Sequence, residues 1–260
     1  MNILVTNQQV NNIPFLEVVQ KNEEIVNKKS IFFIHGFMSA KEHNLHYAYL
    51  LAEKGFQVIL PDTWLHGERE DGLNENELTL RFWEIVIKTI KEIKILRDVL
   101  FEQNKISDEK IGLMGTSMGG IITLGALTQY DWIQSAVSLM GNPCYQQLAK
   151  DQIRELERYG RTIPKEMLNE LFASLKHYDL SDQPEKIGDR PLLFWHGKKD
   201  LVVPYHHAYQ FYIDVLKDLY QQVDFILDEH AGHKVSRAGV LEVVRWMNEK
   251  MNTEKISFSS

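Results

Sequence analysis

The chain has 260 residues, of which 44% are hydrophobic and 25% charged, with a formal net charge of −7. That length fits one large α/β domain or two small ones, and the composition supplies a full core. With no basic run or tail to offset it, the negative charge argues against nucleic acid or an anionic membrane as main partner, and serves solubility instead.

A single cysteine, Cys144, rules out an intrachain disulfide and fits a reducing compartment. No local feature activates it as a nucleophile. The start, Met1 to Asn7, lacks the positive flank and apolar core of a signal peptide, and no apolar run is long enough to span a bilayer. A cytoplasmic location is the expectation.

Residues 2–20 read as two short strands forming an edge hairpin, broken at Asn11-Asn12. Ser30 to Ile34 is a continuous apolar run, the mark of a strand buried on both faces, and His35-Gly36-Phe37-Met38 follows it. Residues 42–54 look helical and stop at Gly55; Phe56 to Leu60 is the next strand, ended by Pro61-Asp62. The polar, glycine-punctuated segment from Thr63 to Asn76 reads as a loop carrying His66-Gly67-Glu68-Arg69. Beyond it, Phe82, Val86, Ile90, Ile93, Leu96 and Leu100 recur at three- and four-residue steps, the stripe of a long helix that covers the sheet.

Lys110 to Gly120 is the segment around which the rest is arranged. A short apolar run ends in Gly115-Thr116-Ser117-Met118-Gly119-Gly120, and a helix-like stretch to Tyr130 follows at once. This is the strand, sharp turn and helix that lift a serine hydroxyl clear of a sheet. The turn crowds its neighbours, so glycines are needed beside it. Chance alone produces G-x-S-x-G in roughly one chain in ten of this size, so its weight depends on finding a base, an acid and an oxyanion hole elsewhere.

Ile133 to Leu139 is a further strand. From about 142 to 186 strands vanish, and two polar helices near 145–159 and 164–176 suggest an insertion too poor in large apolar residues for its own core. Pro191 to Trp195 resumes the sheet and leads into His196-Gly197-Lys198-Lys199-Asp200. A helix near 205–219, a strand from Val223 to Leu227, a polar turn and a last helix from Val235 to Met251 complete the order, with residues 253–260 expected to fray. Buried strands alternating with helices predict an α/β fold with a doubly wound, mostly parallel sheet: one domain over residues 1–260, with the insertion as a small helical cap.

Ligands of such sheets bind beyond the carboxyl ends of the strands, and there the candidate chemistry lies. A serine hydroxyl needs a base near neutral pH, for which histidine is the usual group. Of ten histidines, His43, His46, His177, His206 and His207 sit in or beside helices, and His35 and His196 brace turns. His230 and His233 follow the final strand; Gly232 suggests a tight turn presenting His233, which is favoured. Asp200, one strand earlier, is the candidate acid, with Asp228 as competitor. The oxyanion donors are expected at the backbone N–H of Met118, at a helix N-terminus, and of Phe37, after the Ile31–Ile34 strand.

The order Ser117, Asp200, His233 is that of α/β-hydrolases. His35-Gly36-Phe37, Pro61-Asp62 with His66-Gly67, Gly115 to Gly120, His196-Gly197-Lys198-Lys199-Asp200 with Val203-Pro204, and Ala231-Gly232-His233 together resemble that superfamily. They are similar in particular to small bacterial esterases related to dienelactone hydrolases and to prolyl oligopeptidase catalytic domains. The resemblance spans about residues 13–250. It implies hydrolysis of carboxylic esters, with small-molecule ester substrates and without cofactor or metal. A dienelactone hydrolase carries cysteine where this chain has Ser117, which argues against that chemistry. The cap is expected to sit over the pocket and favour small acyl or alcohol groups. Peptidase and thioesterase activity, and a non-catalytic binding module, are the alternatives. The loop at His66, Glu68 and Arg69 is expected to be braced rather than reactive.

Overall fold

The computed structural model describes residues 2–21, 29–107 and 111–252; Lys110 and the tail 253–260 fall outside them. Eight described strands form one sheet: β1 (Ile3–Val10), β2 (Ile13–Gln20), β3 (Ser30–Ile34), β4 (Gln57–Pro61), β5 (Ile111–Thr116), β6 (Ile133–Leu139), β7 (Leu192–Gly197) and β8 (Val223–Asp228). Their spatial order is β1-β2-β4-β3-β5-β6-β7-β8. The pairs β1/β2 and β2/β4 are antiparallel, and the remaining neighbours are parallel.

The unbroken apolar character of β3, β4 and β7 has a direct cause: every residue in each is buried, since helices cover both faces. Along β3, Phe32 and Ile34 enter one core while Ile31 and Phe33 enter the other. The first core is closed by α3 (Phe82–Glu102), α4 (Met118–Gln129) and α7 (His206–Phe211), the second by α1 (Leu45–Ala52) and α8 (Arg237–Asn252). The α3 stripe buries Val86, Ile90, Ile93, Leu96 and Leu100 as its spacing requires.

Three departures from the sequence reading bear on the site. Residues 75–80, inside and beyond the expected loop, form a short helix, α2 (Glu75–Leu80). Its Asn74 side chain accepts from Glu77 N–H while the Glu77 carboxylate accepts from Asn74 N–H, a reciprocal cap that starts the helix. The expected 205–219 helix stops as α7 at Phe211 and continues to Leu216 in a wider turn. The helix expected over 42–54 is a tight turn over Lys41–Asn44 followed by α1.

Between β6 and β7 lie α5 (Tyr145–Arg158) and α6 (Lys165–Lys176). Their buried residues, Tyr145, Leu148, Ala149 and Leu175, join the core on the α3–α4 face rather than forming one of their own. Polar ties fasten α5 to the body: Tyr145 Oη donates to Ile121 O of α4, Trp83 Nε1 donates to Gln152 Oε1 at 2.9 Å, and His207 Nε2 lies 3.0 Å from Asp151 Oδ2.

The direction of winding reverses between β3 and β5, and the crevice beyond their carboxyl ends is where such sheets hold ligands. Gly36-Phe37 and Ser117 both lie there.

Candidate active site

Ser117 caps α4 with φ 53° and ψ −117°, a left-handed conformation that a side chain adopts only under constraint. The constraint is visible. Ser117 N–H donates to Leu139 O at 2.7 Å, and Ser117 O receives Ile121 N–H at 3.0 Å. The flanking glycines are steric necessities: a Cβ on Gly115 would lie 2.3 Å from Gly119 O, and one on Gly119 would lie 2.0 Å from Ile34 O. Both obstacles are backbone and cannot move cheaply. Gly119→Ala is therefore expected to destabilise the fold by about 3 kcal/mol, read as a lower urea midpoint at unchanged m-value.

His233 Nε2 lies 2.8 Å from Ser117 Oγ, and His233 Nδ1 lies 2.7 Å from Asp200 Oδ2. The two carboxylate oxygens have separate tasks. Oδ1 accepts N–H bonds from Val202 at 2.9 Å and Val203 at 3.0 Å, which fixes the carboxylate plane and leaves Oδ2 for the imidazole. Burial alone would raise the Asp200 pKa. Hydrogen bonds from His196, His233 and Val203 N–H overcome it and hold the carboxyl well below the usual carboxylate range.

The competitors are placed elsewhere. Asp228 uses Oδ1 to accept His230 and Ala231 N–H, both at 3.0 Å, and Oδ2 to accept Ser236 Oγ at 2.9 Å. It shapes the histidine turn without touching the imidazole. His230 is exposed. Burial pushes the Cys144 thiol up to about 11, so it stays protonated near neutral pH.

The glycine that brings the acid and histidine loops together is Gly197, not Gly232. A Cβ on Gly197 would lie 2.4 Å from Gly232 O, whereas one on Gly232 meets only Lys199 O at 3.6 Å. Backbone bonds then pin the loops, Lys198 N–H to Asp228 O at 2.8 Å and Lys199 N–H to Ala231 O at 2.9 Å. His196, buried beneath Asp200, lies 2.7 Å from Val203 O and 3.4 Å from Asp200 Oδ2 through its Nε2. Its Nε2–H closes the turn that carries the acid.

Met118 is the first residue of α4, so its N–H has no partner within the helix. The Gly36–Phe37 peptide lies beside Ser117: a Cβ on Gly36 would meet Ser117 Cβ at 3.4 Å. His35 orients that peptide. Its Nδ1 lies 2.8 Å from Gly36 O, and its Nε2 accepts Thr63 N–H at 3.0 Å, which makes Nδ1 the protonated donor. Because a trans peptide is planar, holding Gly36 C=O on one side turns Phe37 N–H to the other.

Burial pushes the His35 imidazole down from 6.5 to about 4, against the raising effect of the Gly36 bond. Unfolded His35 gains its proton at a higher pH than folded His35. The stability present above the unfolded value is therefore lost as pH falls from about 6.5 toward 4. Urea unfolding at about pH 7 and about pH 5 is expected to show a smaller loss for His35→Asn than for the parent chain. His66, shifted in the same direction by burial, is common to both, so the difference reports His35.

Behind His35 lies a feature that periodicity does not reveal. Lys41 is buried, its Nζ 2.7 Å from both Asp62 Oδ2 and Glu68 Oε1, while Asp62 Oδ1 accepts Lys41 N–H at 2.9 Å. Arg69 forms a two-pronged pair with Glu92 at 2.7 and 2.8 Å, and His66 Nδ1 lies 2.9 Å from Trp64 O. Glu68 and Arg69 thus brace the loop, as the sequence suggested for them. Removing the Lys41 amine with Lys41→Met would leave buried Asp62 uncompensated, at an expected cost of about 3 kcal/mol in chemical denaturation.

A cavity of about 740 Å³ opens at Ser117, walled by α2 and the start of α3 on one side and by α5, α6 and their connection on the other. The cap residues Ile153, Leu156, Ile163 and Leu171 face it, whereas Met167 is 59% exposed. This volume exceeds what a small acyl or alcohol group fills. The cavity lies between α2 and α3 on one side and the cap on the other, with Trp83 of α3 hydrogen-bonded to Gln152 of α5. The Asn74-x-x-Glu77 pattern was the sequence signal for that wall.

Residues 42–254 match the model of the prolyl oligopeptidase family, Peptidase S9. The chain is 49% identical over 250 residues to YitV of Bacillus subtilis, a provisionally named esterase, covering 94% of this chain and 98% of that protein. It is 30% identical over 202 residues to the esterase YjfP of Escherichia coli, covering 78% and 80% respectively. Among solved structures, TT1662 from Thermus thermophilus superimposes with a TM-score of 0.77 at 17% identity, covering 98% of this chain and all of that one. With the family model spanning most of its length and an esterase-named relative at half identity, the chain belongs to the prolyl oligopeptidase family of α/β-hydrolase-fold hydrolases.

Proposed function

We propose that the protein is a serine hydrolase of carboxylic esters, acting through Ser117, His233 and Asp200 by way of an acyl-enzyme. The observation that carries this reading is the unbroken relay of 2.8 and 2.7 Å from Ser117 Oγ through His233 to Asp200 Oδ2. Ser117 Oγ attacks the ester carbonyl while His233 Nε2 takes its proton. The carbonyl oxygen, now negative, is held by the N–H groups of Phe37 and Met118, fixed dipoles that need no reorientation during the reaction. His233 then gives the proton to the departing alcohol oxygen. Water, deprotonated in turn by His233, attacks the acyl-Ser117 carbonyl, and the carboxylic acid leaves with Ser117 Oγ reprotonated. Asp200 stays ionised and keeps the proton on His233 Nδ1, so that Nε2 is free to act as base.

A second reading, cleavage of an acylated amine, is favoured by the family to which the chain belongs. It uses the same groups with a nitrogen leaving atom. Two esterase-named relatives support the ester. A cytoplasmic location is part of the proposal, supported by the single unpaired Cys144.

The test is covalent labelling with a fluorophosphonate, mapped by mass spectrometry, run beside p-nitrophenyl esters and aminoacyl anilides. The expected result is one label on Ser117 and turnover of esters far above anilides. No label, or a label on another residue, overturns the nucleophile; faster anilide turnover overturns the ester.

A further inference from the structure

We propose that the cavity beneath the cap receives the acyl half of the ester, an unbranched apolar chain longer than butyrate, while the alcohol half leaves through the open side at His233. This rests on the serine-hydrolase reading above and adds to it which half of the substrate is selected, and for what.

The direction follows from proton transfer. Whichever oxygen departs must lie within hydrogen-bonding reach of His233 Nε2, because that atom returns the proton. The alcohol therefore lies on the side of the histidine loop. The cavity extends away from that loop: its walls include Ser117, Met118 and Phe37, the Asp200 turn contributes only Val202 and Val203, and no described residue of 228–236 is among them. With the carbonyl oxygen between Phe37 and Met118 and the alcohol against His233, the remaining substituent of the carbonyl carbon, the acyl chain, points into the cavity.

Its lining sets the chemistry. Ile121, Leu148, Ile153, Leu156 and Leu171 present hydrocarbon, alongside the charged Glu155 and Arg161. Trp83 Nε1 and Gln152 Oε1, between α3 and α5, satisfy one another at 2.9 Å. A volume of about 740 Å³ lies within the range of sites that enclose whole drug-sized molecules, far beyond what an acetyl group fills. Each methylene moved from water into such a wall contributes about fourfold to kcat/KM when it is bound in the transition state.

The experiment compares two ester series. In p-nitrophenyl acetate, butyrate, hexanoate and octanoate, kcat/KM is expected to rise by about fourfold per methylene to a maximum beyond butyrate. In methyl, butyl, hexyl and octyl butyrate followed by pH-stat, it is expected to stay within about twofold. Ile153→Trp, on the cap wall, is expected to move the acyl optimum to shorter chains, and Ile153→Ala to longer ones, with melting curves reporting whether each variant folds. An optimum at acetate, a length dependence carried by the alcohol series, or an acyl optimum indifferent to both variants overturns the assignment. Fluorophosphonate labelling of Ser117 in the same preparations separates the two levels. A labelled enzyme with a flat acyl series removes only the cavity assignment, whereas an unlabelled one removes the serine-hydrolase reading beneath it.

Discussion

Ser117→Ala is expected to lower kcat/KM for a p-nitrophenyl ester by about 10⁶-fold and to abolish fluorophosphonate labelling. The effect is large because the hydroxyl is the only atom of the relay that bonds to carbon, and the rest of the machinery serves it. His233 without Ser117 Oγ at 2.8 Å has no proton to take from a nucleophile held in place. The residual rate, from binding and the oxyanion donors acting on water, sets the floor. The same position makes a second, opposite forecast. At φ 53° and ψ −117° Ser117 occupies backbone space that costs a residue with a Cβ about 1–3 kcal/mol. Glycine adopts that region without penalty, so Ser117→Gly is expected to be inactive yet more stable than the parent by about 1 kcal/mol in urea unfolding, whereas Ser117→Ala keeps the strain. A glycine variant less stable than the alanine one would show that the turn is not strained as described.

Asp200→Asn is expected to reduce kcat/KM by about 10⁴-fold while leaving the protein folded. The hydrogen bonds explain both halves. Asparagine Oδ1 can still accept the Val202 and Val203 N–H groups, so the acid turn persists. Its Nδ2 then replaces Oδ2 opposite His233 Nδ1 and presents a donor where an acceptor stood. His233 must shift its proton to Nε2, and the nitrogen facing Ser117 Oγ loses the lone pair that makes it a base. Acid stability provides an independent readout. The folded Asp200 pKa is depressed, so its contribution is present above the unfolded value and lost as pH falls through the folded one. The parent is therefore expected to lose stability below about pH 4 more steeply than Asp200→Asn. A variant retaining more than about a tenth of parental activity would remove Asp200 from the acid's role, since the tautomer argument allows no such remainder.

Much of this site is legible in the sequence. Buried strands announce themselves as unbroken apolar runs because a sheet covered on both faces has no polar side, and β3, β4 and β7 stand where those runs predicted. The elbow was legible because steric crowding leaves only glycine at 115 and 119, a constraint local to the turn. Chain order together with the rule that parallel sheets gather ligands at their carboxyl ends singled out Ser117, Asp200 and His233 as the set to test, and placed Phe37 and Met118 beside them. The bracing tasks of His35 and His196 followed from their place between a strand and a glycine.

What stayed hidden depends on groups distant in sequence. Lys41, Asp62 and Glu68 form a buried charge cluster behind the oxyanion loop, and no periodic pattern marks a lysine that points inward. Gly232 drew attention by adjacency to His233, yet the missing side chain that matters belongs to Gly197, 35 positions earlier, because it is there that two loops press together. The size of the pocket was not legible in the sequence. Local chemistry singled out Ser117 as the candidate nucleophile and the turn that presents it, since both follow from the steric needs of a few consecutive residues, and chain order singled out its candidate partners. Only the tertiary structure decided the size of the cavity at Ser117, because its walls come from α2, α3, α5 and α6, which are brought together from separate parts of the chain.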